Sequence, residues 1–443
     1  MSFSPRKIAV DIIYNILKNG KTLSDELNKL RNEHSDISAL DTRFVSEIVN
    51  GVLRNLEYCD YLISLASSVK LNKISPYVLN VLRCGCYQLI FMDKVPSSAA
   101  VNESVKIIKK SSNARLSGFV NAVLRKIDSN GKDVQLPKDN LKRLSVLYSC
   151  PMWLVEKFFN SLNDDTVKLL ESFNKKPSTI LRVNKLRTTR EDLINRLNSK
   201  GWNCTEYTSD LFPDADYLIS ADKIDNLETT DEFKDGLFYI QDPAAAYVGE
   251  VLRPEKGSVV LDMCASPGGK STHFAEIMGD EGRIYSFDVS IGKAKRIEEN
   301  ASRLKLKSIS AIVKDSTVFD PEFENTADYI LVDAPCTGIG IIRKKPDIKY
   351  LRKPDDSKNL SKISLSILNT AADYLKPGGT MVFSTCTIFE EENEMVLFDF
   401  LKGRPDFSLK TISCNMKNKG YMTLYPHKNN CDGFFISLLT KEQ

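Results

Sequence analysis

The sequence predicts a multidomain protein: an all-α bundle, a small α+β linker domain, and then an α/β domain built on a Rossmann-like, mostly parallel sheet. Three observations carry this. Apolar residues recur at helical spacing through the first third of the chain. The texture then changes to short strand-like runs beside a single helix. From about residue 241 onward, apolar strands alternate with amphipathic helices, the pattern of a doubly wound sheet.

In the first third, Ile8, Ile12, Ile16 and Leu17 follow helical spacing, as do Val45, Ile48, Val52 and Leu53. Further runs cover Tyr77–Met92, Ala99–Ile108 and Leu116–Ile127, punctuated by turn signals such as Asn19-Gly20 and Ser129-Asn130-Gly131. Short loops between such helices imply a bundle. The polar stretch Asp128–Pro137 marks a boundary, and the expected domains are residues 1–135, 140–240 and 241–443. Residues 141–175 are again helical, Thr179–Asn184 is strand-like, Arg190–Ser199 is helical, and Cys204–Tyr207 and Leu237–Ile240 complete the small domain. Arg182, Lys185, Arg187 and Arg190 fall on or near one strand. An RNA surface and a solvated edge strand account for them equally well. The strands of the last domain are Val259–Leu261, Arg283–Phe287, Ser310–Val313, Tyr329–Val332 and Thr380–Phe383. Its helices are His273–Met278, Ile291–Leu304, Ser357–Leu375 and Glu391–Leu401.

Composition narrows the function classes. No apolar run reaches the roughly 20 residues of a membrane span, and Met1–Lys7 leads into an amphipathic helix rather than the apolar core of a signal peptide. A cytoplasmic protein with no membrane association is expected. Ten cysteines scattered over 443 residues do not form the dense framework of a small secreted domain. Cys84 and Cys86 lack the second pair of a zinc site, and His34, His273 and His427 lack metal spacing, so no metal is expected. The net charge of +3 divides unevenly: residues 1–140 hold 20 Lys/Arg against 14 Asp/Glu. That excess suits a polyanion partner, and a solvated helical surface would produce it as often.

The chemistry-bearing residues follow the strands of the last domain. Chain leaving the carboxyl ends of parallel strands lines the ligand crevice of such sheets. The first strand runs into Asp262-Met263-Cys264-Ala265-Ser266-Pro267-Gly268-Gly269-Lys270, a glycine turn that lets backbone approach a ligand. It is not a P-loop, because Cys264 stands where the first glycine is required. Asp288 ends the second strand, where a ribose diol is gripped, and Asp315 follows the third, where a carboxylate accepts from an adenine amine. With no second phosphate cradle, the set favours a nucleoside cofactor lacking a pyrophosphate. Two cysteines follow later strands, in Asp333-Ala334-Pro335-Cys336 and Ser384-Thr385-Cys386. Thiols so placed can meet over one substrate atom, one attacking and the other handling a proton.

These motifs, with Thr337-Gly338, Ile342–Ile348, Glu390–Glu394, Asp432–Phe435 and Gln241–Ala245, resemble the RNA cytosine-C5 methyltransferases that use S-adenosyl-L-methionine. The first third resembles the NusB-like RNA-binding helical domain through Leu40–Phe44, Val52–Asn55, Pro96–Glu103 and Phe119–Arg125. The fusion is similar to the bacterial small-subunit ribosomal RNA methyltransferase B group. Departures are small: Ser266 where alanine is common, Phe389 where proline is common, Lys314 where glycine is frequent.

The resemblance implies a class I methyltransferase acting on C5 of one cytosine of 16S rRNA, nominally cytosine 967. Cys386 would be the nucleophile that adds to C6. Cys336 would help remove the C5 proton and release the product, and Asp333 would hydrogen-bond the cytosine N3/N4 edge. Cys264, Ala265, Ser266, Pro267, Gly268, Gly269, Lys270, Asp288, Asp315 and Asp333 would contact the cofactor. The implied partner is 16S rRNA before full assembly of the subunit, met by a monomer. A tRNA substrate remains the runner-up, because the motifs report chemistry rather than the RNA. An RNA-binding assembly factor with incidental methylation is the reading from another class.

Overall fold

The structure is a computed structural model that describes residues 4–33, 37–131, 133–222 and 227–443, with His34 outside the described residues. The chain forms two compact units. One contains the residues up to Lys175 together with Ile342–Pro354, and the other contains Lys176–Ile341 and Asp355–Gln443.

The first unit is helical. Its opening helix, Pro5–Asn19, starts where the Ser4 hydroxyl accepts from the Lys7 amide and proline fills the first position, and it ends at Gly20 with φ +67°. The helices Ala39–Arg54, Leu56–Ala66, Pro76–Phe91, Ser97–Lys109 and Ser117–Asn130 follow. Pro76–Phe91 is apolar on most sides and lies in the core with Val78, Val81, Leu82, Cys84, Cys86 and Ile90. Gly51 leaves room for the Tyr87 ring, which a Cβ there would overlap. The segment 342–354 carries a short helix, Ile348–Leu351. Its buried Lys349 donates to the carbonyls of Arg54 (3.2 Å) and Ser149 (2.5 Å), and Asp347 accepts from the Leu23 amide at 2.9 Å. Burial lowers the Lys349 ammonium to about 8.

The second unit holds two sheets. The smaller consists of β1 (Thr179–Val183), β2 (Asn203–Glu206), β3 (Leu218–Asp222) and β4 (Phe238–Ile240), antiparallel in the order β2-β3-β1-β4, with helix Arg190–Ser199 beside them. The larger is formed by β5 (Val259–Asp262), β6 (Arg283–Asp288), β7 (Ile309–Val313), β8 (Ala327–Asp333), β9 (Leu375–Thr385), β10 (Phe407–Leu409), β11 (Tyr421–Leu424) and β12 (Phe434–Lys441). Its order is β10-β12-β9-β8-β5-β6-β7, with β11 also pairing β12. From β9 to β7 the pairs are parallel, while β12 runs antiparallel to its neighbours.

Two expectations change here. The five expected strands are present, but β10, β11 and β12 were not foreseen. β12 is a near-continuous apolar run buried on both faces, without the alternation that marks a half-exposed strand. The strand carrying Arg182 is interior, between β3 and β4, and Arg182 is fully buried, so it forms neither an RNA surface nor a solvated edge. Of its neighbours, Lys185 pairs with Asp216 and Arg190 with Glu206, both at 2.9 Å. No helix among the described residues is long and apolar enough to cross a membrane.

Candidate active site

The parallel register brings the ends of β5, β6, β8 and β9 to one edge of the larger sheet. Asp262 pairs with Ser286 and Leu331, and Asp333 with Ser384. The chain leaving β8 carries Cys336 and the chain leaving β9 carries Cys386. Their sulfurs lie 3.3 Å apart, and both residues are partly exposed. At that distance one substrate ring can lie within reach of both sulfurs. Backbone holds the loops together: the Gly340 amide donates to the Cys386 carbonyl at 3.0 Å, and the Gly433 amide to the Gly340 carbonyl at 2.9 Å. A Cβ on Gly340 would lie 1.9 Å from the Gly433 oxygen, so this crossing requires glycine.

Beside the thiols, Asp333 accepts from the Ser384 hydroxyl at 2.8 Å and pairs with the Lys270 ammonium at 2.6 Å. Burial pulls the Lys270 ammonium down, but Asp333, Asp262 and Cys386 outweigh it and hold it protonated. Lys270 also lies 5.3 Å from the Phe434 ring centroid. Hydrogen bonding to Cys386 and burial push the Cys336 thiol well up, and Glu392 adds to the rise. The Lys270 cation is within electrostatic reach of Cys386, and two anions, Glu392 and Asp333, act on Cys336.

The glycine turn runs from Met263 into helix Gly269–Ile277. Gly268 has φ +97°, which the turn requires. A Cβ on Gly269 would come within 2.9 Å of the Tyr239 ring, so the missing side chain makes room for a residue of β4. Arg182 reaches the same turn from β1. Its guanidinium donates to the Gly269 carbonyl, the Gln241 amide oxygen and Thr272, and it pairs with buried Glu276 at 2.9 Å. At the end of β6, Asp288 accepts from the Ser266 amide (3.2 Å) and the Val289 amide (2.8 Å) and pairs with Lys293 at 3.0 Å. Asp315 is exposed, and its carboxylate accepts from the Thr317 amide and hydroxyl, which lowers it.

The family model described as 16S rRNA methyltransferase RsmB/F matches residues 249–440, NusB family matches 4–129, and the RsmF/B-like ferredoxin-like domain matches 150–221. The probable ribosomal RNA small subunit methyltransferase B of Bacillus subtilis is 35% identical, with 99% of each chain covered. The ribosomal RNA small subunit methyltransferase B of Proteus mirabilis is 31% identical, with 100% of this chain and 99% of its own covered. The chain belongs to the RsmB/F family of methyltransferases. The crystal structure of PH0851 superposes with a TM-score of 0.84 at 28% identity, covering all of both chains. A methyltransferase homolog from Pyrococcus horikoshii gives 0.58 at 28% identity, over 69% of this chain and all of its own.

The cofactor of an RsmB/F methyltransferase is S-adenosyl-L-methionine, and the residues at the ends of β5 to β7 fit it. Asp288 and Asp315 are acceptor-only groups, with lone pairs beyond those their amide partners use, suited to a diol and an amine. The turn Cys264–Lys270 contributes a single cation, Lys270, already matched by Asp333. That balance suits a ligand without phosphates. Among the described residues, no group of three or more His, Cys, Asp or Glu is placed to hold a metal.

Four residues of this region escaped sequence reasoning. Asp262 is buried, accepts from Ser271 at 2.6 Å and is raised to about 7 by burial, with Asp333 adding to the rise and Ser271 opposing it. Phe434 faces Lys270, Arg182 holds the glycine turn, and Glu392 joins the two cysteine loops. Asp262, Phe434 and Glu392 lay within quoted motifs. Only a knowledge of sheet order would have moved Arg182 from the surface to the core.

Proposed function

We propose that this RsmB/F methyltransferase methylates C5 of a cytosine in 16S rRNA, nominally cytosine 967, through a covalent adduct between Cys386 and C6. The observation that carries the reading is the 3.3 Å separation of two thiols beside the Lys270–Asp333 pair. An enzyme that methylates an amino group needs no second thiol, whereas C5 chemistry uses one thiol to activate the ring and a second group to restore it.

Bound S-adenosyl-L-methionine supplies an electrophilic methyl on a sulfonium. Cys386, with Lys270 favouring its thiolate, adds to C6, and the electrons of the C5–C6 double bond become available at C5 for the methyl. Once bonded to C6, Cys386 no longer raises the Cys336 thiol, which gives its proton to water and, as thiolate, takes the C5 proton onto its sulfur. The electrons of the C5–H bond then re-form the double bond and expel Cys386 as thiolate. Asp333 is ion-paired, which makes it an acceptor: it takes a hydrogen bond from the exocyclic N4–H and so orients the ring. Cys264, Ala265, Ser266, Pro267, Gly268, Gly269, Lys270, Asp288, Asp315 and Asp333 contact the cofactor.

Residues 1–135 bind RNA, 140–240 contribute to its recognition, and 241–443 carry the chemistry. The protein acts in the cytoplasm as a monomer, on rRNA not yet in the completed subunit. Relatives named ribosomal RNA small subunit methyltransferase B, matched over nearly their whole length, support the choice of RNA. Bisulfite mapping of 16S rRNA from a strain lacking the gene tests it: one cytosine loses protection and regains it on complementation. Methyl transfer confined to tRNA would overturn the rRNA assignment.

A further inference from the structure

Each active-site cysteine is followed by a threonine, Cys336-Thr337 and Cys386-Thr387, and both threonines are buried. Their hydroxyls lie 3.0 Å apart. Glu392, only 1% exposed, joins them: Oε2 accepts from the Thr337 amide at 2.7 Å, and Oε1 from the Thr337 hydroxyl at 2.6 Å and the Thr387 hydroxyl at 3.4 Å. The neighbouring Asn393, also buried, accepts from the Thr385 hydroxyl at 2.5 Å and donates to the Thr387 carbonyl at 3.1 Å.

We propose that Glu392 is a positioning residue that fixes the two thiols at reacting distance and, through its charge, keeps their roles distinct. This rests on the reading of Cys386 as nucleophile and Cys336 as its helper. A buried carboxylate costs desolvation free energy that a glutamine or an apolar residue in the same place would not. Here it supplies a bridge that an apolar residue lacks and a charge that glutamine also lacks. One carboxylate accepts from both cysteine loops at once, so moving either loop breaks a buried hydrogen bond. Its negative charge, which burial disfavours and the Thr337 and Thr387 hydrogen bonds favour, acts on Cys336 together with that of Asp333, while the Lys270 cation lies within reach of Cys386. Two chemically identical thiols 3.3 Å apart are thereby made unequal before the attack: Cys336, pushed up by its hydrogen bond to Cys386, by burial, and by Glu392 and Asp333, keeps its proton at this stage, which leaves Cys386 as the thiol that attacks.

The test uses the full-length protein without RNA. Glu392→Ala and Glu392→Gln are compared with the parent in two assays, diamide-driven disulfide formation between Cys336 and Cys386 and the pH profile of iodoacetamide labelling at Cys336, both read by peptide mass. Glu392→Ala is expected to slow cross-linking by on the order of tenfold, since misplacing reacting groups by about 1 Å has large effects. Glu392→Gln keeps the shape and is expected to cross-link near the parent rate while Cys336 labelling moves to lower pH. If Glu392→Ala unfolds, the Glu392→Gln profile alone decides. Parent-like cross-linking in a folded Glu392→Ala protein, or an unmoved Cys336 profile in Glu392→Gln, would overturn the proposal. Because neither assay involves RNA, a wrong assignment of the nucleophile would appear separately, as adduct formation by Cys386→Ala.

Discussion

At the scale of single residues, the site separates like groups by their surroundings. Cys336 and Cys386 are the same side chain with different neighbours. Asp262 and Asp315 are both carboxylates at strand ends, yet Asp262 is buried and raised to about 7 while Asp315 is exposed and lowered by Thr317. Asp262 binds a proton in the folded state between its ordinary 3.8 and about 7 that it has lost in the unfolded state. Its contribution to stability therefore falls as pH rises through that window and is level above it. Replacing Asp262 with Asn should remove this slope. The stability of Asp262→Asn relative to the parent, from urea unfolding at several pH values, should rise from pH 4 to pH 7 by on the order of a few kcal/mol. The thiol pair was legible in sequence because each cysteine sits in a short local motif after an apolar strand. Glu392's role was not, because it depends on the chain leaving β8, with Thr337, meeting the chain leaving β9, with Thr387 and Glu392, in the core.

At the scale of elements, the glycine turn is held from outside its own strand. Arg182 on β1 donates to the Gly269 carbonyl and pairs with Glu276 on the helix that the turn begins. Arg182→Met leaves a buried Glu276 unpaired and should cost about 3–5 kcal/mol in chemical denaturation. It should also weaken S-adenosyl-L-methionine binding measured by calorimetry. Adding Glu276→Leu should restore part of the stability without restoring cofactor affinity, because the donor to Gly269 is still missing. The alternation of strand and helix made β5 to β9 readable. Strand order did not follow from it: an arginine between two apolar residues looks the same on an edge as in the centre, and only pairing with β3 and β4 puts Arg182 inside. β12 was missed for a related reason, since a run buried on both faces loses the period that marks a strand.

At the scale of the whole molecule, charge and chemistry are divided along the chain. The basic excess lies in residues 1–140, and the reactive groups follow residue 261. Lys109 and Lys110 are exposed at the end of helix Ser97–Lys109. Reversing both charges should weaken RNA binding and reduce the salt slope by about 1–2 in log K against log salt. Affinity for S-adenosyl-L-methionine should stay unchanged. Filter binding over a range of salt concentrations, beside a cofactor titration, checks both halves. The central claim, that Cys386 attacks and Cys336 releases, is tested most directly by denaturing-gel analysis of protein incubated with 16S rRNA fragments and S-adenosyl-L-methionine. Cys336→Ala should accumulate a covalent protein–RNA adduct, and Cys386→Ala should form none. A stable adduct in Cys386→Ala but not in Cys336→Ala would contradict the account.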